Sequence, residues 1–175
     1  MTISDDDTSR MLEEECPGSL DLESVLANEN VGSAASHPAL LVDAITPLAQ
    51  VLELMREGNR GAALVVSNGT LVGIFTERDV LMKVAGQPID LEHTPINELM
   101  TVDPVTLPAE AAVAFALNKM VIEGFRHIPL VDDRNRPVAV VSMRDLIDYL
   151  SNFFSREILN LPPDSHVGFR NRDGA

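Results

Sequence analysis

Residues 38 to 150 contain an internal repeat. Shifted by 66 positions, the sequence aligns with itself without a gap, and identical residues recur along the whole overlap. A repeat of this length indicates two similar units that pack against each other, so any pocket between them should exist in two related copies. The matching residues are Pro38 with Pro104, Glu57-Gly58 with Glu123-Gly124, Arg60 with Arg126, Leu64-Val65 with Leu130-Val131, Val72 with Val138 and Arg78-Asp79 with Arg144-Asp145.

The first copy reads as a helix, a hairpin and a second helix. A helix is predicted over residues 46–58, where a Thr cap, a first-turn proline, apolar residues at helical spacing and a terminal glycine follow one another. Apolar runs at 62–66 and 71–75 predict two strands, and Asn68-Gly69 between them predicts a tight hairpin. Thr76 then opens the second helix.

The second copy has the same order of elements and adds a strand in front. A unit of this size is too small to bury both faces of its own sheet, which favours packing of sheet against sheet in a mixed α/β (α+β) fold. The expected elements are a strand at 105–107, a helix at 108–122 ended by Gly124, strands at 128–131 and 138–141 joined by a turn at 132–136, and a helix from Ser142 to about Asn160.

Charge and composition exclude some functions. A net charge of −14 argues against a protein that depends on phosphate-backbone contacts of a nucleic acid, because such binding requires a basic surface. No apolar run is long enough to span a membrane. The N-terminus lacks the features of a secretory signal, and the lone Cys16 has no partner for an internal disulfide. We therefore expect a soluble, cytoplasmic protein.

The repeat boundaries divide the chain into four parts. Nine acidic residues stand against Arg10 before Pro38, so residues 1–18 are predicted to be an acidic, disordered arm, most simply a solubilising tail. Apolar residues from Leu20 to Leu26 predict a short docked helix. The four parts are the arm at 1–18, the first repeat with this helix at 19–95, the second repeat with an extended C-terminal helix at 96–161, and a flexible tail at 162–175.

Similar polar clusters stand where a strand meets a helix in each copy. The first copy has Thr76, Arg78 and Asp79 there, and the second has Ser142, Arg144 and Asp145. A helix start offers free N–H groups to a phosphate, the arginine adds a charge with forked donors, and a carboxylate can accept the hydroxyls of a ribose. Together these groups describe a nucleotide site.

The same residues have a purely structural interpretation. A Thr or Ser followed three residues later by Asp, ahead of an apolar run, also resembles a capping box that fixes a helix start and binds nothing. Capping and binding are compatible, because one hydroxyl can bond to the helix when the site is empty. Recurrence of the cluster with the same arginine favours the nucleotide site.

Three segments resemble the signatures of the CBS domain, named after cystathionine β-synthase. They are Gly73-Ile74-Phe75-Thr76-Glu77-Arg78-Asp79, its weaker copy Ala139-Val140-Val141-Ser142-Met143-Arg144-Asp145, and Arg126-His127-Ile128-Pro129-Leu130-Val131. Two tandem copies form what is called a Bateman module, and the resemblance covers residues 20 to 155. It implies two β-α-β-β-α repeats in a pseudo-twofold module whose two clefts bind AMP, ADP, ATP or another adenosyl compound in many members.

The resemblance also implies roles for particular residues. Asp79 would hold a ribose with Thr76 near the phosphates, and Asp145 with Ser142 would do the same in the other cleft. The copies differ at Gly73, which becomes Ala139, so the backbone of the second site would be approached less closely. They differ again at Gly61, which becomes His127.

Because of that second difference, only one cleft is expected to receive the imidazole of His127. With Arg126 it would serve a phosphate; alternatively, it is a structural histidine at the end of a strand. The four histidines are scattered, and we find neither a zinc pattern nor a pair of nucleophile and base. No metal, no catalytic cofactor and no enzymatic activity are therefore expected.

Two functions remain open. The first is a ligand-sensing module that binds an adenine nucleotide as a regulatory ligand and regulates a partner protein; the second is a protein-interaction scaffold with vestigial clefts. A homodimer is expected to cover apolar residues on the helices after Thr76 and Ser142. The exposed residues expected on these helices are Leu81, Leu146, Leu150 and Phe153, and Phe153, Phe154 and Ile158 are candidates for a partner surface.

Overall fold

The structure, a computed structural model, describes residues 26–153. Residues 26–28 are helical, and each repeat then follows the expected order of elements, except at the first strand of the second repeat. The elements are α1 (Val31–Ala34), β1 (Leu41–Asp43), α2 (Leu48–Glu57), β2 (Ala62–Ser67), β3 (Thr70–Thr76), α3 (Glu77–Asp79) continued by a π-helix (Val80–Val84), a 3₁₀ turn (Ile96–Glu98), β4 (Thr101–Val102), α4 (Val113–Glu123), β5 (His127–Val131), β6 (Pro137–Ser142) and α5 (Met143–Phe153).

The strands form two small sheets. The first has the order β1-β2-β3-β4, with β1 parallel to β2 and the other neighbours antiparallel. The turn between β2 and β3 places Asn68 and Gly69 at positive φ, of 51° and 78°, which confirms the predicted hairpin. The second sheet is the antiparallel pair β5-β6, and a parallel bridge from Leu107 to Leu130 repeats the pairing of Leu41 with Leu64.

Three local expectations were wrong. The strand expected at 105–107 is reduced to the single bridge at Leu107. The helix expected from residue 108 begins only at Val113, because the carbonyls of Ala109 and Ala111 accept bonds from the backbone of α1 and hold that segment out of a helix. Thr46 does not cap α2; its carbonyl accepts a bond from Ile96 N.

The short helix α1 packs on the second repeat although it precedes the first in sequence. Val31 N donates to Ala111 O at 2.7 Å and Gly32 N to Ala109 O at 2.8 Å. Val31 is fully buried in the core that α4 and α5 form with the β5-β6 sheet. This crossing connection ties the two repeats together.

Each repeat has its own core, and a third cluster joins the two sheets. Leu64, Leu71 and Ile74 on the first sheet pack against Val131 and Val140 on the second. At the edge of this contact, Leu71 N donates to the Asn135 carbonyl at 2.9 Å. The sheet-against-sheet arrangement predicted from the repeat is therefore confirmed, and the clefts lie along this interface.

The helices after Thr76 and Ser142 each present an apolar residue outward, Leu81 on the first and Ile147 on the second, but the expectation for Leu146 was wrong. Leu81 is 72% exposed, as expected, but Leu146 is fully buried because α5 lays it into the core of the second repeat. Leu150 is partly buried. The side chain of Phe153 and the residues Phe154 and Ile158 lie outside the described part of the chain, as do the arm at 1–18 and the tail at 162–175.

Within residues 26–153, no helix is long and apolar enough to cross a membrane. The same residues contain no cluster of His, Cys, Asp and Glu side chains that could hold a metal ion.

Candidate functional site: two clefts between the repeats

A capping box stands at the end of β3. The Asp79 carboxylate oxygen Oδ2 accepts bonds from Thr76 N at 2.9 Å and Thr76 Oγ1 at 2.7 Å, and Asp79 N donates to Thr76 Oγ1 at 3.4 Å. Thr76 has an extended backbone, so its side chain can reach the free N–H groups of the first helical turn. The capping box predicted from the sequence is therefore present at this position.

The second repeat builds the same box at the end of β6. Asp145 Oδ2 accepts bonds from Ser142 N at 2.8 Å and Ser142 Oγ at 2.6 Å, and Asp145 N donates to Ser142 Oγ at 3.1 Å. In both boxes one carboxylate oxygen is used by the cap. The other oxygen, Oδ1, is left to interact elsewhere.

Oδ1 has a different partner in each repeat. In the first, Lys83 Nζ lies 2.8 Å from Asp79 Oδ1 and also donates to the Leu99 carbonyl at 2.7 Å. In the second, the Ser36 hydroxyl donates to Asp145 Oδ1. A ligand hydroxyl would therefore compete with an ammonium in one site and with a neutral hydroxyl in the other.

These bonds keep both carboxyls ionised. Burial by itself would raise the pKa of Asp79, but the bonds from Lys83 and Thr76 outweigh it and hold that pKa below its ordinary value. Burial likewise opposes ionisation of Asp145, and the bonds from Ser142 and Ser36 lower its pKa in turn. Both side chains are thus charged acceptors at neutral pH.

Two clefts open between the repeats, one beside each capping box. The first cleft, of about 320 Å³, contains Thr76, Arg78 and Asp79 of the first repeat with Thr101 and residues 103–105 and 125–127 of the second. The second cleft, of about 560 Å³, contains Ser142, Arg144 and Asp145 with His37 and residues 58–62 of the first repeat. All eight residues predicted for the site line one of the two clefts or both.

The shift of 66 positions relates most of the two linings to each other. Ile74 and Val140 correspond, but Phe125 in the first cleft is replaced by Asn59 in the second, and Asp103 by His37. The first cleft is therefore more apolar and more acidic than the second. Its Phe125 offers a flat face that Asn59 does not.

The arginines of the clefts also differ in their bonding. Arg78 Nη1 donates to the Gly124 carbonyl at 2.9 Å, which satisfies the C-terminal end of α4. Arg60, Arg126 and Arg144 make no side-chain hydrogen bond or ion pair with any residue in the described range 26–153. Arg60 and Arg144 line the second cleft only, whereas Arg126 lines both.

His127 lies in the wall between the clefts, and the expectation that only one cleft would receive it was wrong. Its ring packs against Gly61, where an added Cβ would be 2.9 Å from Nε2, so the ring reaches both sides. Burial lowers the pKa of His127, and Arg126 lowers it further, while Glu77 and Asp145 act in the opposite direction. The imidazole is therefore neutral at neutral pH.

The missing side chain at Gly73 makes room for another strand of the protein. The sequence had indicated that it would allow close approach to the backbone of the site. A Cβ at Gly73 would overlap Met100 Sδ and would be 3.0 Å from the Thr101 carbonyl, because β4 crosses here. Ala139 in the second repeat pairs with Leu130 and has no such crossing strand.

Sequence reasoning missed several residues of the clefts. Arg60 is the repeat partner of Arg126, so applying the 66-residue shift to each candidate would have found it, whereas Phe125 and Asn59 correspond only to each other and to no candidate. Ser36 and Lys83 carried no such signal. Ser36 lies 109 positions from Asp145, and only the fold brings them together.

Two segments of the chain, residues 31–86 and 96–152, match the family model described as "CBS domain". The chain belongs to the CBS-domain family. The two matched segments correspond to the two repeats, and the fold is that of a pair of CBS domains.

Curated relatives and solved structures agree with this assignment. An uncharacterised 17.7 kDa protein of Acidianus ambivalens is 32% identical over 117 residues, which is 66% of this chain and 70% of that protein. The CBS domain-containing protein CBSCBSPB5 of Arabidopsis thaliana is 34% identical over 119 residues, 67% of this chain but 21% of the relative. The chain thus spans about a fifth of that longer protein.

Among solved structures, the CBS domain of NE2398 has a TM-score of 0.64 at 22% identity, covering 70% of this chain and 97% of that one. The CBS domain pair of protein MJ0100, solved in complex with 5-methylthioadenosine and S-adenosyl-L-methionine, has a TM-score of 0.62 at 24% identity, covering 70% and 99%. These similarities establish the CBS-pair fold.

Proposed function

We propose that this CBS pair is a regulatory module that binds an adenine nucleotide or another adenosyl compound in its clefts and regulates a partner protein. The observation that carries the proposal is the repeated pairing of an ionised aspartate with arginines in a cleft. Asp79 and Asp145 each retain a carboxylate oxygen outside the cap, and each lines a cleft with Arg126. A ribose needs the acceptor, and a phosphate needs the guanidinium.

The ligands of a similar protein support the adenosyl part. The MJ0100 pair was solved with two adenosyl compounds, and MJ1225 of Methanocaldococcus jannaschii, with a TM-score of 0.65, is described as a putative archaeal homologue of g-AMPK. Clefts of 320 and 560 Å³ fall within the usual range for small-molecule sites. We propose that the module carries out no catalysis itself and acts by regulating a partner protein.

We also propose that the module is a homodimer. Leu81 and Met82 on the π-helix are 72% and 74% exposed, and Val121 and Ile122 at the end of α4 are 73% and 71% exposed. Pairing two copies through such helices would cover apolar side chains that a monomer leaves in water. Light scattering should give about twice 19.0 kDa, and Leu81→Asp should shift the protein toward monomer. A monomer at all micromolar concentrations would contradict this.

The same exposed side chains favour the second candidate function, a protein-interaction scaffold whose clefts bind nothing. The two functions are separated by thermal unfolding in AMP, ADP, ATP or adenosine. A ligand at about 100 times its dissociation constant stabilises the folded protein by roughly 2.7 kcal/mol. We expect at least one of these compounds to raise the melting temperature; no shift at millimolar concentration would favour the scaffold.

Substitution of the two aspartates tests whether the ligand binds in the clefts. Asp79→Ala and Asp145→Ala each remove a ribose acceptor and half of a capping box, at a cost of about 0.5–2 kcal/mol in folding free energy. We expect each variant to remain folded and to lose affinity at one site. Unchanged affinity in both, with lowered melting temperatures, would mean that these carboxylates only cap helices.

A further inference from the structure

The two clefts differ in charge and in available donors, which bears on the class of ligand each can take. We propose that the second cleft binds the phosphate groups of an adenine nucleotide through Arg60, Arg126 and Arg144, whereas the first cleft selects adenosyl compounds without phosphate. This inference rests on the proposed function and assigns a ligand class to each cleft.

The linings differ in charge. In the second cleft three arginines face two carboxylates, those of Glu77 and Asp145. In the first cleft two arginines face the three carboxylates of Glu77, Asp79 and Asp103, and Lys83 pairs with Asp79, so the charges cancel. A diphosphate carries at least two negative charges at neutral pH, so it is attracted to the second lining more strongly than to the first.

The donors of the second cleft are also available. Arg60 and Arg144 have no hydrogen-bond or ion-pair partner among the residues that the structure describes, so a phosphate would displace nothing but water. In the first cleft Arg78 is bonded to the Gly124 carbonyl and would have to give up that bond in order to bind a phosphate.

The helices behind the two boxes add to this difference. Ser142 and Asp145 stand at the start of α5, an α-helix of 11 residues whose dipole favours an anion. In the first repeat only three α-helical residues follow Thr76 before the π-helix begins. The longer run of aligned peptides thus lies beside the second cleft.

The ribose acceptors differ in the group that must be displaced. Asp145 Oδ1 is covered by the neutral Ser36 hydroxyl, which a ribose hydroxyl can replace in kind. Asp79 Oδ1 is held by the Lys83 ammonium, and this charged bond is stronger. The first cleft compensates with Ile74, Val105 and Phe125, apolar surface suited to an adenine or thioether group.

Calorimetric titration of the intact protein with ADP, adenosine and inorganic pyrophosphate tests the proposal. We expect ADP to bind once per chain and pyrophosphate to compete with it. Arg60→Gln and Arg144→Gln should each weaken ADP binding roughly 10- to 100-fold, the effect of losing a charged hydrogen bond, and should change adenosine affinity less than about twofold.

Two control variants test whether the effect on ADP affinity is specific to the second cleft. Arg78→Gln is the repeat counterpart of Arg144→Gln and lies in the first cleft, so it should weaken ADP far less. Arg56→Gln removes the same charge from an exposed site on α2, away from both clefts, and should have no effect on ADP affinity. Circular dichroism melting of each variant shows whether it is folded.

The outcomes are distinguishable. Loss of ADP binding in Arg78→Gln but not in Arg144→Gln, or two ADP molecules bound per chain with equal affinity, would overturn the assignment and leave adenosyl binding in place. Equal affinities for ADP and adenosine that do not respond to any arginine substitution would also overturn it. Failure of all three compounds to bind would overturn the proposed function itself.

Discussion

The two repeats share a capping box with nearly identical geometry but differ in what surrounds it. In both, an aspartate Oδ2 accepts a backbone N–H and a hydroxyl from the residue at the strand end. The partner of Oδ1 is Lys83 in one and Ser36 in the other. Position 83 corresponds to Tyr149, whose hydroxyl instead donates to Glu29 at 2.6 Å.

This difference separates what the fold requires from what a ligand requires. The cap positions the carboxylate in both repeats because the strand-to-helix turn needs it, whether or not anything binds. The neighbours of the carboxylate are free of that requirement and have diverged. Ligand preference is therefore expected to reside in Asn59, Lys83, Asp103 and Phe125, which differ between the repeats, rather than in the shared box.

The largest expected effect concerns the helices that follow the boxes. Leu146→Ala empties a fully buried position of α5 and should cost about 2–5 kcal/mol of unfolding free energy, whereas Leu81→Ala, at a position exposed in the single chain, should stay within about 0.5 kcal/mol at protein concentrations where the monomer predominates. Urea unfolding measures both. Equal costs would mean that the two helices are packed alike, contrary to the structure.

A smaller effect is expected at the strands before the boxes. Gly73→Ala should destabilise the protein by about 1–3 kcal/mol, because the new Cβ would overlap Met100 and approach the Thr101 carbonyl. The reverse change at the matched position, Ala139→Gly, should cost about 0.5–1 kcal/mol through added chain entropy. A neutral Gly73→Ala in thermal unfolding would show that β4 does not hold its place beside β3.

The partners of Oδ1 can be compared by binding. In an Asp145→Ala background, where only the first cleft keeps its acceptor, Lys83→Met should tighten adenosine binding several-fold, since displacing an ion pair of this kind costs about 1 kcal/mol or less. Ser36→Ala in an Asp79→Ala background should change adenosine affinity less. Weaker adenosine binding after Lys83→Met would show that Lys83 assists the ligand and does not compete with it.

The smallest expected effect is a dependence of folding stability on pH, which arises from His127 in the wall between the clefts. Because the pKa of His127 is lowered in the folded protein, the unfolded chain binds more protons, and stability should fall as pH drops from 7 through 6.5 and below. His127→Gln should flatten this part of the stability profile, measured by urea unfolding at each pH. A wild-type stability that rises on acidification between pH 7 and 5 would contradict a neutral, buried imidazole.

The repeat predicted most of the fold. A shift of 66 positions and the Asn68-Gly69 hairpin were sufficient for the order of elements and for the packing of sheet on sheet, because both depend on local pattern. The start of α4 was not predictable in this way. Residues 109–111 have a helical pattern, but α1, distant in sequence, takes their carbonyls.

The sequence likewise predicted some residues of the candidate site and missed others. The capping residues and arginines at the strand ends were found because they recur in sequence. The sharing of His127 between clefts was missed, since it depends on the space that Gly61 leaves across the interface. Ser36 was missed because only long-range packing brings it to Asp145, whereas Lys83 could have been found from its i,i+4 spacing from Asp79 on a predicted helix.

A crystal structure of the protein with ADP tests the account most directly. We predict one ADP per chain in the second cleft, with ribose hydroxyls bonded to Asp145 in place of Ser36 and with phosphates bonded to Arg60 and Arg144. A diphosphate bonded to Arg78 in the first cleft would contradict the assignment of the clefts. Two empty clefts at saturating ADP, adenosine and methylthioadenosine would contradict the ligand-sensing function.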